Sequence, residues 1–456
     1  MGVLRRGLGS ALIACALVIG ASLVFLGAPS IASPRHPAVR SLDRRGFSSR
    51  GSARFVSSWS ASPQAATPGS LAATGFQNQT VRNIVFTSAG GSLVRVRFTN
   101  TFGAEPLTIG HATIALAGTG ASLAGASVTM TFGGQQSVMV APGAEALSDP
   151  IRMRVPALHD LAVSVFVPDK TGPATNHSDA QEINYVAAGD QADSSSATPF
   201  SEQTQSWYFI DSVDVSASRH DLGTVVAFGD SITDGANSTV NANARWPNDL
   251  ARRIDGLHGV SLGVADEGIS GNRVLNDSPC LGVNAQARFD RDVVGRADAR
   301  AVILMEGIND IGFPYLKPDP NNPNAVIGPT GTGFGVPITC FEPQTLVSAG
   351  QIIAGYDQLI AQAHAAGLKV FGATLTPFKG APYYTVAGEA TREAVNQWIR
   401  TSGAFDGVID FDHALADPSD PLMMNPAYDS GDHLHPNDAG YQKMADTVNL
   451  GLLLHP

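Results

Sequence analysis

After about residue 220, the sequence alternates short apolar stretches with helical stretches. The helical stretch over residues 351–366 places its apolar side chains on one stripe. Strands that alternate with helices predict a parallel sheet covered by helices on both faces. Ligands of such sheets bind beyond the carboxyl ends of the strands, so the residues that follow each strand are the candidates for chemistry. The five strand candidates are residues 225–228, 260–264, 301–305, 368–375 and 408–411.

The sequence before residue 220 has a different pattern. Its apolar runs are short, rich in β-branched residues and separated by turn residues. In LVRVRFTN, residues 93–100, apolar residues alternate with Arg and Thr. This is the period of a strand buried on one face. We therefore predict an all-β domain, a sandwich or jelly roll, over residues 54–215, followed by an α/β domain over residues 220–456.

The N-terminus has the pattern of an export signal. Residues 1–32 contain a basic start, an apolar run and then small residues. The run is also long enough to remain in a bilayer as an anchor, and the segment around Cys15 loosely resembles a lipoprotein processing site. Residues 33–53 are rich in Ser, Arg, Pro and Gly, which predicts a linker. We expect a secreted protein, with anchoring to the membrane by the N-terminal segment as the alternative.

Charge and metal-ligand spacing exclude several classes of function. The formal net charge is -11, with 29 Lys and Arg residues in a chain of 456, and no basic run offers a patch for a phosphate backbone. Nucleic acid is therefore not an expected partner. His433 and His435 are close in sequence, but no cysteine or further histidine surrounds them at ligand spacing, so neither a metal nor another cofactor is predicted.

The first strand candidate leads directly to a serine. Ser231 lies in FGDSITDG, and a serine hydroxyl needs a base within hydrogen-bond reach to become a nucleophile at neutral pH. His435 precedes Pro436, which favours an extended conformation for the histidine and suits the first turn of a C-terminal helix. Asp432 can reach the other imidazole nitrogen and stabilise the imidazolium. The pattern predicts Ser231 as nucleophile, His435 as base and Asp432 as the acid that orients it.

Two further strand ends carry candidate donors for an oxyanion. Gly271 lies in a turn after the second strand, where its backbone N–H can approach a ligand closely. Asn309 follows the third strand, and its side-chain amide can donate a hydrogen bond. The backbone N–H of Ser231, at the start of a helix, is the third expected donor.

Together the four motifs FGDSITDG, GISGN, GIND and DHLHP resemble the four sequence blocks of the SGNH/GDSL hydrolases. The resemblance covers about residues 222–454 and implies a flavodoxin-like, three-layer α/β/α fold. It also implies a triad of Ser231, Asp432 and His435, with an oxyanion hole formed by the Ser231 amide, Gly271 and Asn309. Upstream, SWSASPQ and RVRFTNTFGAEPLTIG look like the N-terminal β domain of a secreted bacterial branch of that family, to which no catalytic residue can be assigned.

The remaining cysteines suggest how a long insert is held. Removal of Cys15 with the leader leaves Cys280 and Cys340, an even pair in an oxidising compartment, for which a disulfide is the expectation and two free thiols are the alternative. Residues 313–343 are rich in Pro, Gly and Asn and have no regular period. We hypothesise that a Cys280–Cys340 disulfide fastens this insert beside the oxyanion hole as one wall of the substrate cleft.

These observations predict a secreted serine esterase that works through an acyl-enzyme. Removal of acetyl or other short acyl groups from carbohydrate is the preferred chemistry, because the β domain could hold a glycan. No segment upstream of Ser231 provides a clear aromatic platform, although Trp207 and Tyr208 could contribute. A lipase or phospholipase is the first alternative, and a glycan-binding surface protein without catalysis is the second. The expected partner is an ester substrate, either acylated polysaccharide or lipid. A membrane is a partner only if the leader is retained, and the oligomeric state is not predicted.

Overall fold

The computed structural model describes residues 53–454. The predicted signal at residues 1–32 lies outside the described residues, as does almost all of the predicted linker at residues 33–53, so both stay predictions. Among the described residues, no helix combines the length and the apolar character that crossing a bilayer requires.

The N-terminal part of the described chain is built almost entirely from strands. Its one short helix is α1 (Leu71–Thr74). The strands are β1 (Phe55–Ser60), β2 (Gln79–Phe86), β3 (Gly91–Thr99), β4 (Leu107–Ile109), β5 (His111–Leu116), β6 (Val128–Thr129), β7 (Val138–Val140), β8 (Glu145–Leu147), β9 (Ile151–Val155), β10 (Asp160–Val167), β11 (Asn176–His177), β12 (Asn184–Ala188), β13 (Phe200–Thr204), β14 (Trp207–Tyr208) and β15 (Ile210–Ser216).

Two antiparallel sheets face each other across one core. One has the order β1-β15-β3-β8, with β9 also paired to β3, and the other has the order β13-β12-β2-β10-β5-β6. In β3, Val94, Val96 and Phe98 are fully buried and share a cluster with Val81 and Val85 of β2. The alternation in the sequence thus predicted the buried face of β3 correctly. The all-β character of this part is confirmed, whereas a jelly-roll connectivity stays a prediction.

The C-terminal part is organised around a parallel sheet. The strands of this part of the chain are β16 (Asp221–Gly229), β17 (Ser261–Gly268), β18 (Ala299–Met305), β19 (Lys317–Asp319), β20 (Asn322–Ile327), β21 (Gly333–Phe334), β22 (Lys369–Ala373), β23 (Gly407–Ile409), β24 (Ala416–Asp417) and β25 (Asp420–Met424). The parallel sheet has the order β17-β16-β18-β22-β23. The interior strand β16, which lies between β17 and β18, is buried almost throughout, as expected for a strand covered on both faces. The predicted parallel sheet is confirmed.

Helices connect these strands. The longest, α6, begins two residues earlier than the apolar stripe predicted, because Ser348 and Gln351 form a capping box at its N-terminus. The helices are α2 (Ser231–Asp234), α3 (Trp246–Asp255), α4 (Ala285–Phe289), α5 (Ile308–Gly312), α6 (Ala349–Ala365), α7 (Val386–Thr401), α8 (Phe411–Leu415), α9 (Asp438–Thr447) and α10 (Leu450–Leu454), with a π-helical turn at Asp290–Val294 and 3-10 turns at Phe313–Tyr315 and Ile338–Phe341.

The long insert has more regular structure than its sequence predicts. Within residues 313–343, strands β19, β20 and β21 form a small antiparallel sheet. These strands are two to six residues long, too short to produce a visible period in a segment rich in Pro and Gly. The insert is therefore a folded element of the domain.

The two parts of the chain are packed into one compact unit. Ser62 Oγ, from the segment after β1, donates to Glu267 Oε2 at the end of β17 over 2.7 Å. Arg296 contacts Asp211 of β15 over 3.5 Å and Glu267 over 2.8 Å, and all three side chains are almost completely buried. The proposed domain limits, residues 54–215 and 220–456, bracket the short connection between β15 and β16 and stay predictions.

Candidate active site

Ser231 stands at the junction between β16 and α2. Asp230 caps the helix, because its side chain accepts a hydrogen bond of 3.1 Å from the backbone N–H of Ile232. Burial raises the pKa of Asp230 to about 7, despite this hydrogen bond. A side chain at Gly229 would collide with the carbonyl oxygen of Met305, 2.3 Å from its Cβ, so glycine is required where β16 turns into the helix. The turn leaves Ser231 at the carboxyl edge of the sheet.

The structure brings the predicted base and acid to this serine. His435 Nε2 lies 2.8 Å from Ser231 Oγ, and His435 Nδ1 lies 2.6 Å from Asp432 Oδ2. Burial by itself would raise the pKa of Asp432. The hydrogen bond and charge of His435, with backbone N–H donors from His435 and Leu434, hold that pKa well below its ordinary value instead. Asp432 is therefore an anion that faces the imidazole across the physiological range.

A short loop before α9 holds His435 in place. The Asp432 Oδ1 atom accepts the backbone N–H of His435 over 2.8 Å, so one carboxylate fixes both the backbone and the ring of the histidine. The sequence suggested that Pro436 lies in the first turn of the helix, but the structure places it before the helix. The helix begins at Asp438, and its cap is Asn437, whose side chain accepts from the Gly440 N–H over 3.0 Å. The prediction for Pro436 was wrong because the side chain of Asn437 caps the helix, so that the helix starts after Asn437 and not at the proline.

Asn237 is a member of the site that the sequence did not reveal. Its side-chain amide donates to Asp432 Oδ2 over 2.9 Å and to Ser430 Oγ over 3.1 Å. Asn237 has a φ of +65°, a conformation that asparagine tolerates better than most residues. The Asn237 amide and the His435 ring thus bind the same carboxylate oxygen, Asp432 Oδ2.

The three residues that carry the candidate oxyanion donors line one cleft together with His435. They are Ser231, Gly271 and Asn309. Gly271 has a φ of +79°, and an added Cβ would lie 2.5 Å from the Leu281 side chain, so only glycine fits this turn. Asn309, in α5, donates to the Asn272 carbonyl over 2.9 Å and accepts from the Tyr383 hydroxyl over 3.3 Å. These two contacts fix the amide plane and leave its second N–H available to a ligand.

Two buried side chains hold the strand ends that carry these residues, and neither was predicted. Arg288 donates to the carbonyl oxygens of Glu267 and Gly229 over 2.7 and 2.8 Å, which ties the ends of β17 and β16 together. Asp310 accepts from the backbone N–H groups of Val274 and Leu275 over 2.7 and 3.0 Å. Both contacts stabilise the loop that contains Gly271.

The cleft itself is small and has two kinds of surface. Its volume is about 160 Å³. Asp179 and Ser270 provide polar atoms on one side. The apolar part of the lining comes largely from the insert. Its side chains are Leu281, Phe313, Phe334, Val336, Phe341 and Leu434.

A disulfide joins Cys280 to Cys340, which confirms the predicted pairing. The bond connects the segment after Gly271 to the 3-10 turn at the end of the insert. On the chain-entropy account, closing a loop of 60 residues contributes about 4 kcal/mol to stability. The hypothesis that the disulfide places the insert as a wall of the cleft agrees with the four insert side chains found there.

The two aromatic residues that the sequence suggested as glycan contacts lie in the core of the β part. Trp207 and Tyr208 cannot form an aromatic platform for a glycan, because both are buried in the core of the β part. The Trp207 indole donates to the Ile84 carbonyl over 2.7 Å instead. Within residues 53–454, no group of three or more His, Cys, Asp or Glu side chains is arranged to hold a metal ion.

Comparisons with known proteins address the family of this chain. Residues 227–443 match the GDSL-like lipase/acylhydrolase family. No curated protein matches the chain.

Solved structures are similar to about half of the chain. An aryl esterase from M. smegmatis in an inhibitor-bound form is 16% identical, covers 49% of this chain and 94% of its own, and has a TM-score of 0.35. A GDSL-like lipase from Bacteroides thetaiotaomicron is 16% identical over 50% of this chain and 87% of its own, with a TM-score of 0.34. A lipase/acylhydrolase from Enterococcus faecalis is 16% identical over 51% and 93%, with a TM-score of 0.34.

The family assignment rests on the family match, since the structural similarities are weak. The matched segment contains all four motifs, from FGDSITDG to DHLHP, which confirms the resemblance found in the sequence. Membership of a secreted branch with an N-terminal β domain stays a prediction. Residues 227–443 of this chain therefore belong to the GDSL-like lipase/acylhydrolase family and form a hydrolase of the ester-cleaving kind.

Proposed function

We propose that this protein is a secreted serine esterase that removes acetyl or other short acyl groups from carbohydrate. The observation that carries the proposal is the pair of contacts that His435 makes, 2.8 Å to Ser231 Oγ and 2.6 Å to Asp432 Oδ2. A hydroxyl, an imidazole and a carboxylate in this order form the arrangement that activates serine for attack on an acyl carbon.

The proposed reaction has two halves. Ser231 Oγ attacks the ester carbonyl while His435 Nε2 takes its proton, and Asp432 stabilises the imidazolium. The backbone N–H groups of Ser231 and Gly271 and the side-chain amide of Asn309 receive the developing oxyanion. His435 then gives its proton to the leaving alcohol. In the second half, water attacks the acyl-enzyme by the same route and releases the acid.

The dimensions of the cleft support a short acyl group. A volume of about 160 Å³ is well below the roughly 300–1,000 Å³ of sites for drug-sized ligands. The wall formed by the insert is apolar and suits the acyl half of an ester. Asp179 and Ser270, which also line the cleft, can form hydrogen bonds with a polyhydroxy alcohol, which supports carbohydrate as the alcohol half.

The disulfide supports the secreted location. Structural disulfides persist in oxidising compartments and are rare in the cytosol of mesophiles, so a Cys280–Cys340 bond fits a chain whose first 32 residues have the pattern of an export signal. N-terminal sequencing of the protein recovered from the medium would test this. Recovery of the full-length chain in the membrane fraction would favour the anchored alternative.

The catalytic assignment is tested with p-nitrophenyl acetate. We expect Ser231→Ala to abolish turnover, while Ser201→Ala, an exchange at an exposed side chain of the β part, leaves it unchanged. Equal rates for Ser231→Ala and the wild-type protein would reject the assignment and favour a glycan-binding protein without catalysis. Acetylated xylan, compared with butyryl and long-chain esters, then tests the substrate class. Preference for the long-chain esters would favour the lipase alternative.

A further inference from the structure

A cluster of polar side chains reaches from the cleft into the contact between the β part and the hydrolase domain. We call it the His177 cluster, and it consists of His177, Asp179, Asp234 and Ser270. His177 belongs to β11 and is almost completely buried, and Asp234 is the last residue of α2, the helix that begins at Ser231. Asp179 and Ser270 also line the cleft. The proposed function gives Asp179 and Ser270 only a contact with the alcohol half of the substrate, and it gives His177 and Asp234 no role.

Asp234 holds the residue that precedes Gly271. Its Oδ2 atom accepts the backbone N–H of Ser270 over 2.8 Å and the Ser270 hydroxyl over 2.9 Å. The end of β17, from which this loop leaves, also lies directly against α2, since an added Cβ at Gly268 would be 2.1 Å from the Asp234 backbone nitrogen. The position of the Gly271 N–H relative to Ser231 therefore depends on where the Asp234 carboxylate is held.

His177 holds that carboxylate from the other side. Its Nε2 lies 3.0 Å from Asp234 Oδ1, and its Nδ1 lies 3.0 Å from the carbonyl oxygen of Ser62. Both partners are acceptors, so the ring satisfies both contacts when both nitrogens carry protons. Burial would lower the pKa of His177, but the charge and hydrogen bond of Asp234 raise it to about 9.

The rigid core of the β part fixes the histidine ring. β11 pairs with β14, which places His177 opposite Trp207, and the centres of the two rings are 5.4 Å apart. The Trp207 indole is itself anchored to Ile84 of β2. A continuous series of contacts thus runs from the core of the sandwich through His177 and Asp234 to Ser270.

Asp179 completes the cluster. Its Oδ2 atom lies 2.7 Å from the Ser270 hydroxyl, which also faces Asp234 but has only one proton to donate. Burial, followed by the charge of Asp234, raises the pKa of Asp179. Ser270 is then held by its backbone and by its side chain.

We propose that His177 is a positioning residue for the oxyanion hole, which it aligns through Asp234 and Ser270 so that the β part contributes to the rate of acyl transfer. The inference rests on the proposed function, because it assigns Gly271 a role in stabilising the oxyanion. A misplaced donor weakens transition-state stabilisation more than substrate binding, so the effect falls on kcat and leaves KM nearly unchanged.

A matched pair of substitutions tests the proposal. The amide of Gln reaches the position of the histidine Nε2, whereas the shorter amide of Asn reaches that of Nδ1. His177→Gln retains a donor for Asp234 and His177→Asn does not, although both remove the ring. We expect His177→Asn to lower kcat for p-nitrophenyl acetate roughly 10- to 100-fold, which is at or below the loss of one whole oxyanion donor, with KM within about twofold. His177→Gln should recover most of the rate.

Two further measurements separate positioning from folding. The inhibition constant of a boronic acid, which forms a tetrahedral adduct with a catalytic serine, should rise in His177→Asn in parallel with the loss of kcat. His364→Asn removes a histidine that pairs with Asp406 over 2.8 Å on the surface, and it should leave both quantities unchanged. If His177→Asn does not fold, Asp234→Asn weakens the same contact without changing the shape of the side chain and should show the same fall in kcat.

The outcomes distinguish this inference from the proposed function. If Ser231→Ala is inactive but folded His177→Asn keeps the wild-type kcat, the esterase assignment stands and the positioning role is rejected. Equal losses in His177→Asn and His177→Gln would also overturn it, because the Nε2 contact would then not matter. If Ser231→Ala keeps its activity, the proposed function itself fails.

Discussion

Asp432 Oδ2 accepts two hydrogen bonds, one of 2.6 Å from the His435 ring and one of 2.9 Å from the side-chain amide of Asn237. The second donor comes from the loop after α2, the helix that begins at Ser231. The acid of the proposed triad is therefore oriented by the same segment that presents the proposed nucleophile, and Asn237 should influence catalysis without touching the substrate.

Asn237→Gly tests this orientation without adding strain, because glycine adopts the φ of +65° readily. We expect kcat/KM for p-nitrophenyl acetate to fall about 10-fold, since a hydrogen bond to a charged group contributes about 1.5–3 kcal/mol. Asn237→Asp should be worse, because a second carboxylate would face Asp432. Unchanged kinetics in the glycine variant would show that His435 and the backbone N–H groups orient Asp432 without Asn237.

A substitution at Gly271 tests whether the loop that contains it forms part of the oxyanion hole. Gly271→Ala forces a Cβ to 2.5 Å from the Leu281 side chain at a φ of +79°, so the loop must move. We expect kcat to fall about 100-fold with little change in KM, as for the loss of one oxyanion donor. Gly350→Ala is the control, because an added Cβ there comes no closer than 3.9 Å to its neighbours. A Gly271→Ala enzyme with normal kcat would remove this glycine from the oxyanion hole.

Much of the fold and the candidate site could be predicted from the sequence, for a physical reason. Ser231, Gly271 and Asn309 each follow a strand, and parallel strands present their carboxyl ends at one edge of the sheet. Asp432 and His435 are three residues apart, so a local turn can join them. Motifs at strand ends therefore converge without any knowledge of side-chain packing.

The supporting residues could not be predicted in this way. Asn237 and Asp432 are 195 residues apart in the sequence. His177 and Asp234 are 57 residues apart, and they belong to the two parts of the chain that have different folds. Nothing in the local sequence indicates which buried polar group each will meet. The sequence also suggested a glycan contact at Trp207 because aromatic residues suit that role, but the strand register directs this side chain into the core.

The His177 cluster predicts a stability that depends on pH. The pKa of His177 is about 9 in the folded protein and 6.5 in its ordinary state, so the folded state binds the proton more tightly. The resulting stability is fully present below about pH 6.5 and is lost as the pH rises through about 9. The carboxyl groups of Asp234 and Asp179 and the carbonyl of Ser62 face the ring. Asp266, whose pKa burial raises to about 8, also interacts with the charge of His177.

Chemical denaturation between pH 6 and pH 10 measures this effect. The free energy of unfolding of the wild-type protein should fall toward that of His177→Gln across the alkaline part of this range, because glutamine does not titrate. Curves that stay parallel for the two proteins would contradict a raised pKa at His177.

The disulfide provides a prediction that does not depend on catalysis. Replacement of both Cys280 and Cys340 by Ser removes a closed loop of 60 residues, and we expect the free energy of unfolding to fall by about 4 kcal/mol. Addition of a reductant should lower the free energy of unfolding of the wild-type protein by a similar amount. It should leave that of the double variant unchanged. A double variant as stable as the oxidised wild-type protein would mean that packing alone holds the insert.

The wall formed by the insert should set the length of the acyl group. Val336 is partly buried at this wall, so Val336→Ala enlarges the cleft without opening the core. We expect the ratio of kcat/KM for butyryl over acetyl esters to rise about 10-fold, because two additional methylene groups are worth about 0.8 kcal/mol each when they are buried. Leu346→Ala, at a side chain that is 66% exposed and outside the cleft, should leave the ratio unchanged. If the ratio does not move in Val336→Ala, the acyl group lies elsewhere, and the polar side at Asp179 and Ser270 becomes the surface to vary next.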